Sequence, residues 1–107
     1  MHIHLLFGDD FMMMLITYDV DFTDKSGASR LRKVAKICTN YGVRVQNSVF
    51  EMFIDPAQLV VIKNQFSQVI DLTKDSVRFY NLGNNGEHRV EFMGIDDYIH
   101  QKDTLIL

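Results

Sequence analysis

The sequence is poor in the features of secreted and membrane proteins. Its single cysteine, Cys38, cannot form a disulfide within the chain, so a reducing cytoplasm is the expected location. No apolar run approaches the roughly 20 residues that a membrane span requires, so no membrane partner is expected. The first residues, "MHIHLLFGDDFMMM", lack the basic region and the long apolar run of a secretory signal. These absences predict a cytoplasmic globular protein.

Several common catalytic and cofactor patterns are also missing. The sequence contains no Cys-x-x-Cys pair, no Rossmann glycine pattern and no recognisable Ser-His-Asp arrangement. The usual signals for redox, dinucleotide-dependent and serine-hydrolase chemistry are therefore absent. The net charge is −3, which argues against a protein that binds nucleic acid by overall charge alone.

Acidic residues are absent from one stretch of the chain. Residues 25–50 contain no Asp or Glu, and they hold six of the eleven Lys and Arg residues. These six are Lys25, Arg30, Arg32, Lys33, Lys36 and Arg44. Such segregation can produce a basic face on an acidic protein, and an ordinary solvated helix face is the simpler alternative.

The length and composition fit one domain. The chain has 107 residues, of which 47% are apolar and 23% charged, as in an ordinary globular domain. We interpret residues 1–12 as an N-terminal extension, either a leader or the product of an upstream start, because three methionines stand together at 12–14. Residues 13–94 are assigned to the domain and residues 95–107 to a C-terminal tail.

Hydrophobic periodicity predicts two helices and at least four strands. The stretch "MMLITYDV" suits a buried strand, although it carries a charge near its end. A helix is predicted to stop at Gly42, and a second helix to begin with Asp55 as N-cap and Pro56 in its first turn. The predicted elements are a strand at 13–20, a helix at 28–41, a strand or hairpin at 43–54, a helix from 56, and strands at 75–82 and 88–94.

Two details of this assignment affect the candidate site. The first helix has an apolar stripe of Leu31, Val34, Ala35 and Cys38, and four basic residues are expected off that stripe. These basic residues are Arg30, Arg32, Lys33 and Lys36. Residues 43–54 are long for one strand, and Asn47-Ser48 suits a tight turn, so a hairpin and a bulged strand both remain open.

This order of elements predicts an α+β fold, a ferredoxin-like βαββαβ sandwich with an additional C-terminal strand and both helices on one sheet face. Both faces of the first strand are largely apolar, so the second face also needs a cover. A homodimer through the sheet face would provide it. If Met14, Ile16 and Tyr18 face the helices, Asp19 lies at or near that interface.

Asp19 is the clearest candidate for chemistry, although a lone Asp at a strand end is most often a turn residue. One carboxylate is a poor Mg²⁺ site, whereas two copies of Asp19 across a dimer axis would supply two carboxylates for Mg²⁺ or Mn²⁺. On the second strand region, Arg44, Ser48 and Phe50 alternate and share a face if no bulge intervenes. That face would contact phosphate or substrate, or would be an ordinary interface.

Three blocks of the sequence, in order, carry a family resemblance. "LITYDV", "RLRKVAKICTNYGVRVQNSVFE" and "DSVRFYNLG" resemble the small CRISPR-associated endoribonuclease family, the second of the two near-universal CRISPR adaptation proteins. The middle block is most similar to members from type I-C systems. The resemblance implies a ferredoxin-like homodimer and a divalent-metal-dependent endonuclease acting on RNA or double-stranded DNA. It also implies spacer acquisition together with the CRISPR integrase.

The same resemblance assigns roles to individual residues. By position, Asp19 binds the metal beside Tyr18, and Arg44, Ser48 and Phe50 belong to the catalytic block. Arg30 and Arg32 match the basic residues at the start of the family's first helix. We expect these two, with the neighbouring Lys33 and Lys36, to bind nucleic acid. The tail at 95–107 falls where members contact the other protomer or the integrase. Two alternatives stay open: a non-catalytic DNA-binding scaffold that bridges integrase dimers, and a ferredoxin-like toxin-type RNase or regulatory domain.

Overall fold

The computed structural model describes residues 10–83 and 89–95. Most of the predicted extension at 1–12 and all but the first residue of the predicted tail at 95–107 lie outside these residues. The elements are β1 (Met12–Asp19), α1 (Gly27–Tyr41), β2 (Gly42–Gln46), β3 (Val49–Ile54), α2 (Pro56–Val69), β4 (Ser76–Asn81) and β5 (Arg89–Gly94).

The five strands form one antiparallel sheet in the order β2-β3-β1-β4-β5. Strand β1 lies in the centre and pairs with both β3 and β4. It begins at Met12, one residue before the predicted start, because Met12 pairs with Ile54 of β3. The predicted α+β ferredoxin-like fold is confirmed, and β5 is the additional strand beside β4.

The core lies between the helices and one face of the sheet. Along β1, Met14, Ile16 and Tyr18 are buried, whereas Leu15 and Thr17 are only half-buried and Asp19 is exposed. This alternation is the period of two that a strand imposes on its side chains. The prediction that the first set faces the helices is therefore confirmed, and Asp19 lies on the other face.

Helix α1 is rotated relative to the predicted apolar stripe. Its buried residues are Gly27, Arg30, Val34, Ile37 and Cys38, while Leu31 and Ala35 pack at the margin of the core. The prediction that Arg30 lies off the apolar stripe is therefore wrong. Positions 30, 34 and 37 share one side of a helix, and an ion pair allows a charged residue to occupy that side.

Helix α2 begins as predicted. The Asp55 carboxylate accepts a hydrogen bond of 2.7 Å from the Gln58 amide, and the Gln58 side chain accepts one of 3.0 Å from the Asp55 amide. This capping box satisfies two backbone groups at the helix end, and Pro56 occupies the first turn, where no amide donor is required.

The stretch 43–54 contains both of the features left open. It forms the β2–β3 hairpin, which turns at Asn47 and Ser48, and its register shifts between Arg44 and Gln46. The turn places Arg44 opposite Phe50 on the neighbouring strand, so these two residues meet across the hairpin and not along one strand.

Candidate functional site

Asp19 is the last residue of β1, and its side chain is exposed on the sheet face that carries no helix. Its neighbour across the sheet is Ser76 of β4. Within residues 10–83 and 89–95, its carboxylate has no hydrogen-bond or ion-pair partner. The same residues contain no group of three or more His, Cys, Asp and Glu side chains suited to a metal ion. Within the described part of one copy, Asp19 therefore does not belong to a cluster of acidic or histidine side chains that could hold a metal.

Tyr18 occupies the opposite face of the sheet from Asp19. Its side chain is buried, its ring stacks on Phe50 with centroids 6.1 Å apart, and its hydroxyl donates to the Asn47 carbonyl at 3.2 Å. Burial raises the pKa of Tyr18, Cys38 raises it further, and Arg44 opposes the change. The phenol is therefore protonated near neutral pH, and its hydroxyl is a hydrogen-bond donor.

Arg44 is held above an aromatic ring. Its guanidinium carbon lies 5.1 Å from the centroid of the Phe50 ring, a cation–π distance. Phe50 itself is fully buried, so its side chain supports Arg44 and Tyr18 and is not presented to a substrate. The condition for Arg44, Ser48 and Phe50 to alternate along one strand, an uninterrupted strand, is not met, because the chain turns at Asn47 and Ser48.

A pocket of about 410 Å³ brings part of the predicted site together on the helix side of the sheet. Its lining residues are Tyr18, Leu31, Arg32, Ala35, Arg44, Asn47 and Ser48. Two guanidinium groups and a hydroxyl are chemically suited to a phosphate. Asp19 is not among the lining residues, so the predicted catalytic residues divide between the two faces of the sheet.

Three basic residues of α1 line a second hollow of about 440 Å³. Its lining residues are Ser29, Arg32, Lys33, Lys36, Ile37 and Val69. Arg32, Lys33 and Lys36, here called the basic helix surface, are exposed. None of the three forms an ion pair within the part of the chain that the structure describes. The pocket of about 410 Å³ that Arg44 lines is here called the Arg44 pocket. Because Arg32 lines both hollows, the basic helix surface continues into the Arg44 pocket.

Arg30 lies elsewhere and has other partners. Its side chain is 10% exposed, its Nε lies 2.7 Å from Asp75, and its Nη1 lies 3.0 Å from Asp24. These bonds, with Asp75 the larger cause, raise the pKa of Arg30. The placement of Arg30 on a nucleic-acid-binding surface is therefore corrected: its donors are directed into the protein.

Sequence reasoning missed Asp75, which is completely buried. Asp75 and Arg30 are 45 residues apart, and no local pattern links them. The available signal was indirect, because a 3.6-residue period through Val34 and Ile37 also passes through Arg30. A cation on the buried side of a helix predicts a buried anion, although it does not say which one.

The fold and the exposed acid define a class of protein: a ferredoxin-like α+β domain with an exposed carboxylate at the end of its central first strand. The family model described as CRISPR associated protein Cas2 matches residues 12–90. The chain belongs to this family. The type I-C assignment stays a prediction.

Relatives and solved structures agree with this assignment. The chain is 52% identical over 95 residues to the CRISPR-associated endonuclease Cas2 of Halalkalibacterium halodurans, covering 89% of this chain and 99% of that one. It is 45% identical over 102 residues to the CRISPR-associated endoribonuclease Cas2 of Nitratidesulfovibrio vulgaris, covering 95% and 100%. The crystal structure of Streptococcus pyogenes Cas2 at pH 6.5 aligns with a TM-score of 0.63 and 55% identity, covering 69% and 89%.

Among the described residues, no helix has both the length and the apolar character that a membrane span requires.

Proposed function

We propose that two copies of this chain associate through the sheet face that carries no helix, and that their two Asp19 carboxylates together hold one Mg²⁺ or Mn²⁺. This site hydrolyses phosphodiester bonds of RNA or double-stranded DNA. The basic helix surface and the Arg44 pocket bind the nucleic-acid backbone. The dimer works with the CRISPR integrase in the cytoplasm.

Family membership already makes the chain a CRISPR adaptation protein with nuclease activity. The family description is CRISPR associated protein Cas2, and relatives at 52% and 45% identity are named an endonuclease and an endoribonuclease. The dimer, the metal, the substrate and the integrase contact are the proposed parts.

The observation that carries the proposal is the state of Asp19. It is exposed and has no partner among the described residues, whereas Asp24, Asp55 and Asp75 all accept hydrogen bonds from the protein. An acid without a partner among the described residues can accept one from a ligand. Carboxylate oxygens are the ligands that Mg²⁺ prefers.

The open face of the sheet supports the dimer. Apolar side chains on this face include Met13 and Leu15 of β1, Phe53 of β3, Tyr80 of β4 and Phe92 of β5, and Phe92 is 44% exposed. No described helix covers them. Charged side chains lie on the same face, because Glu51 is opposite Leu15 and Arg78 is opposite Phe92. The apolar part of this surface favours association, and a twofold axis presents the same surface from both copies.

Each group has a role that its chemistry permits. When bound, a divalent cation supplies a Lewis acid for the phosphate oxygens and lowers the pKa of water. The two Asp19 carboxylates would hold it. Arg32, Lys33 and Lys36 neutralise backbone phosphates, and Arg44 with Ser48 can hold one phosphate in the pocket.

A second candidate function is a non-catalytic scaffold that holds DNA between integrase dimers. The observation that favours it is the division of the site. The basic residues Arg32 and Arg44 lie on the helix side of the sheet, and Asp19 lies on the other face. Nucleic acid bound along the helix side would need no chemistry at Asp19.

The test is Asp19→Asn, which keeps the size of the side chain and removes its charge. We expect a folded dimer that has lost Mg²⁺- or Mn²⁺-dependent cleavage of RNA and DNA. The matched control is Asp10→Asn, an exposed acid just before the other end of β1, which should cleave like the wild type.

Spacer acquisition, measured with the integrase present, separates the two functions. Loss of cleavage with normal acquisition would favour the scaffold, and loss of both would favour the nuclease. Unchanged cleavage by Asp19→Asn would reject the metal site. Cleavage without any dependence on an integrase partner or CRISPR array in cells would favour a toxin-type RNase.

A further inference from the structure

The loop at residues 20–26, which directly follows Asp19, is anchored by a buried carboxylate. Asp75 is completely buried. Its Oδ1 accepts from the Asp21 amide at 3.0 Å and from Arg30 Nη2 at 3.3 Å. Its Oδ2 accepts from Arg30 Nε at 2.7 Å and from the Asp71 amide at 2.9 Å. One carboxylate therefore joins this loop to the segment before β4.

Arg30 extends the same connection to the far end of the loop. Its Nη2 donates to the Asp21 carbonyl at 3.1 Å, and its Nη1 donates to Asp24 at 3.0 Å and also contacts the Ser26 hydroxyl. The planar guanidinium thus holds Asp21, Asp24 and Ser26 in fixed relative positions. A lysine would carry the charge but could not make this set of bonds.

These anchors lie on both sides of Asp19. Ser76, the residue after Asp75, is the neighbour of Asp19 across the sheet. Asp21, two residues after Asp19, donates its amide to Asp75, and Val20 between them is buried. Nothing in the described residues holds the Asp19 side chain itself. Its position therefore depends on the backbone that Asp75 fixes.

We propose that Asp75, acting through Arg30 and the Asp21 amide, is a positioning residue for Asp19. This inference rests on the proposed function, in which two Asp19 carboxylates from different copies must meet at one cation. A shared ion requires each carboxylate to be placed accurately. A loop that moves in each copy displaces both ligands at once.

The experiment compares Asp75→Asn with a control, Ile62→Val. Ile62 lies on the buried side of α2, so this change lowers stability without touching the loop. Binding of Mn²⁺ to the intact protein is measured from the electron paramagnetic resonance signal of the free ion. Hydrogen exchange reports the backbone of residues 20–26 without metal. Thermal unfolding records the stability of each variant, and Arg30→Lys repeats the test with the charge retained.

We expect Asp75→Asn to weaken Mn²⁺ binding about 10-fold, as for residues that orient a metal ligand, and to speed exchange at residues 20–26. Ile62→Val should lower the unfolding temperature and leave both other measurements at the wild-type value. If Asp75→Asn does not fold, Arg30→Lys carries the same expectation. Equal Mn²⁺ binding and loop exchange in the positioning variant and in Ile62→Val would overturn the inference.

The proposed function is checked in the same series through Asp19→Asn. Weak Mn²⁺ binding by Asp19→Asn together with normal binding by Asp75→Asn rejects only the positioning role. Wild-type binding by Asp19→Asn rejects the metal site, and the positioning role is rejected with it.

Discussion

Tyr18 and Asp19 are neighbours in the sequence, yet their side chains lie in opposite environments. The strand period places Tyr18 between the sheet and the helices and Asp19 on the open face. Burial raises the pKa of Tyr18, which keeps its hydroxyl as a donor to Asn47. The exposed Asp19 is free of such bonds among the described residues. The same dipeptide thus supplies one residue of the core and one exposed carboxylate.

The prediction at this scale is Tyr18→Phe, which removes the hydrogen bond to Asn47. We expect a loss of about 1 kcal/mol in the free energy of unfolding at pH 7, with cleavage unchanged. The pKa of Tyr18 is raised in the folded protein above its ordinary value of 10.0. The contribution of the Tyr18 hydroxyl to the free energy of unfolding is therefore complete below pH 10. It is lost as the pH rises through the pKa that Tyr18 has in the folded protein.

Urea unfolding at neutral and strongly alkaline pH measures the difference in the free energy of unfolding between the wild type and Tyr18→Phe. This difference should be smaller at the higher pH. A folded Tyr18→Phe variant without cleavage would instead give the hydroxyl a catalytic role.

At the scale of elements, α1 passes into β2 without a connecting loop. Gly42 follows the last helical residue and has extended backbone angles, φ −151° and ψ −170°, so its backbone does not require glycine. The requirement is a close approach. An added Cβ would lie 2.5 Å from the Glu51 carbonyl oxygen and 2.5 Å from Met52 Cγ. This contact fixes the hairpin that carries Arg44 and Ser48.

Gly42→Ala is expected to lower the free energy of unfolding by about 2 kcal/mol, because a clash with backbone must be relieved by moving a strand. The same strand movement should change the nuclear magnetic resonance chemical shifts of Arg44 and Ser48. Asn40→Ala, at an exposed position of the same helix end, is the control and should be close to the wild type. A neutral Gly42→Ala would show that β2 and β3 are not held this tightly.

At the scale of the whole molecule, the two faces of the sheet have different roles. Helices α1 and α2 bury one face and present the basic helix surface. The other face keeps Leu15 half-buried and Phe92 exposed, with Asp19 at the end of β1. In the proposed dimer this second face supplies both the interface and the shared metal site, so loss of association removes the site.

Leu15→Glu tests this connection, since Leu15 lies in the middle of the open face, opposite Glu51 and Tyr80. An unpaired charge buried in an interface costs about 3 kcal/mol or more, roughly 100-fold in the dimer dissociation constant. We expect a folded monomer by light scattering, with loss of metal-dependent cleavage. Val60→Glu on the exposed side of α2, where Val60 is 67% exposed, should remain dimeric and active. A monomer that still cleaves would contradict the shared site.

Local patterns were sufficient for most elements of the fold. The N-cap at Asp55, the proline in the first turn of α2 and the stop at Gly42 are local features, and each is visible over a few residues. The error in α1 arose because Arg30 was placed by its charge. Its actual position follows the helical period, which is set by the residues that pack against the core.

The sequence by itself determined the order of helices and strands and the family, because these depend on short-range periodicity and on similarity along the chain. Only the tertiary structure decided that Arg30 binds Asp75, since a buried charge requires a partner and that partner is 45 residues away. It also decided that Arg44 meets Phe50 across a hairpin, and that Tyr18, Arg32, Arg44 and Ser48 share a pocket from which Asp19 is excluded. These are contacts between distant segments, which only the packing of the sheet against its helices brings together.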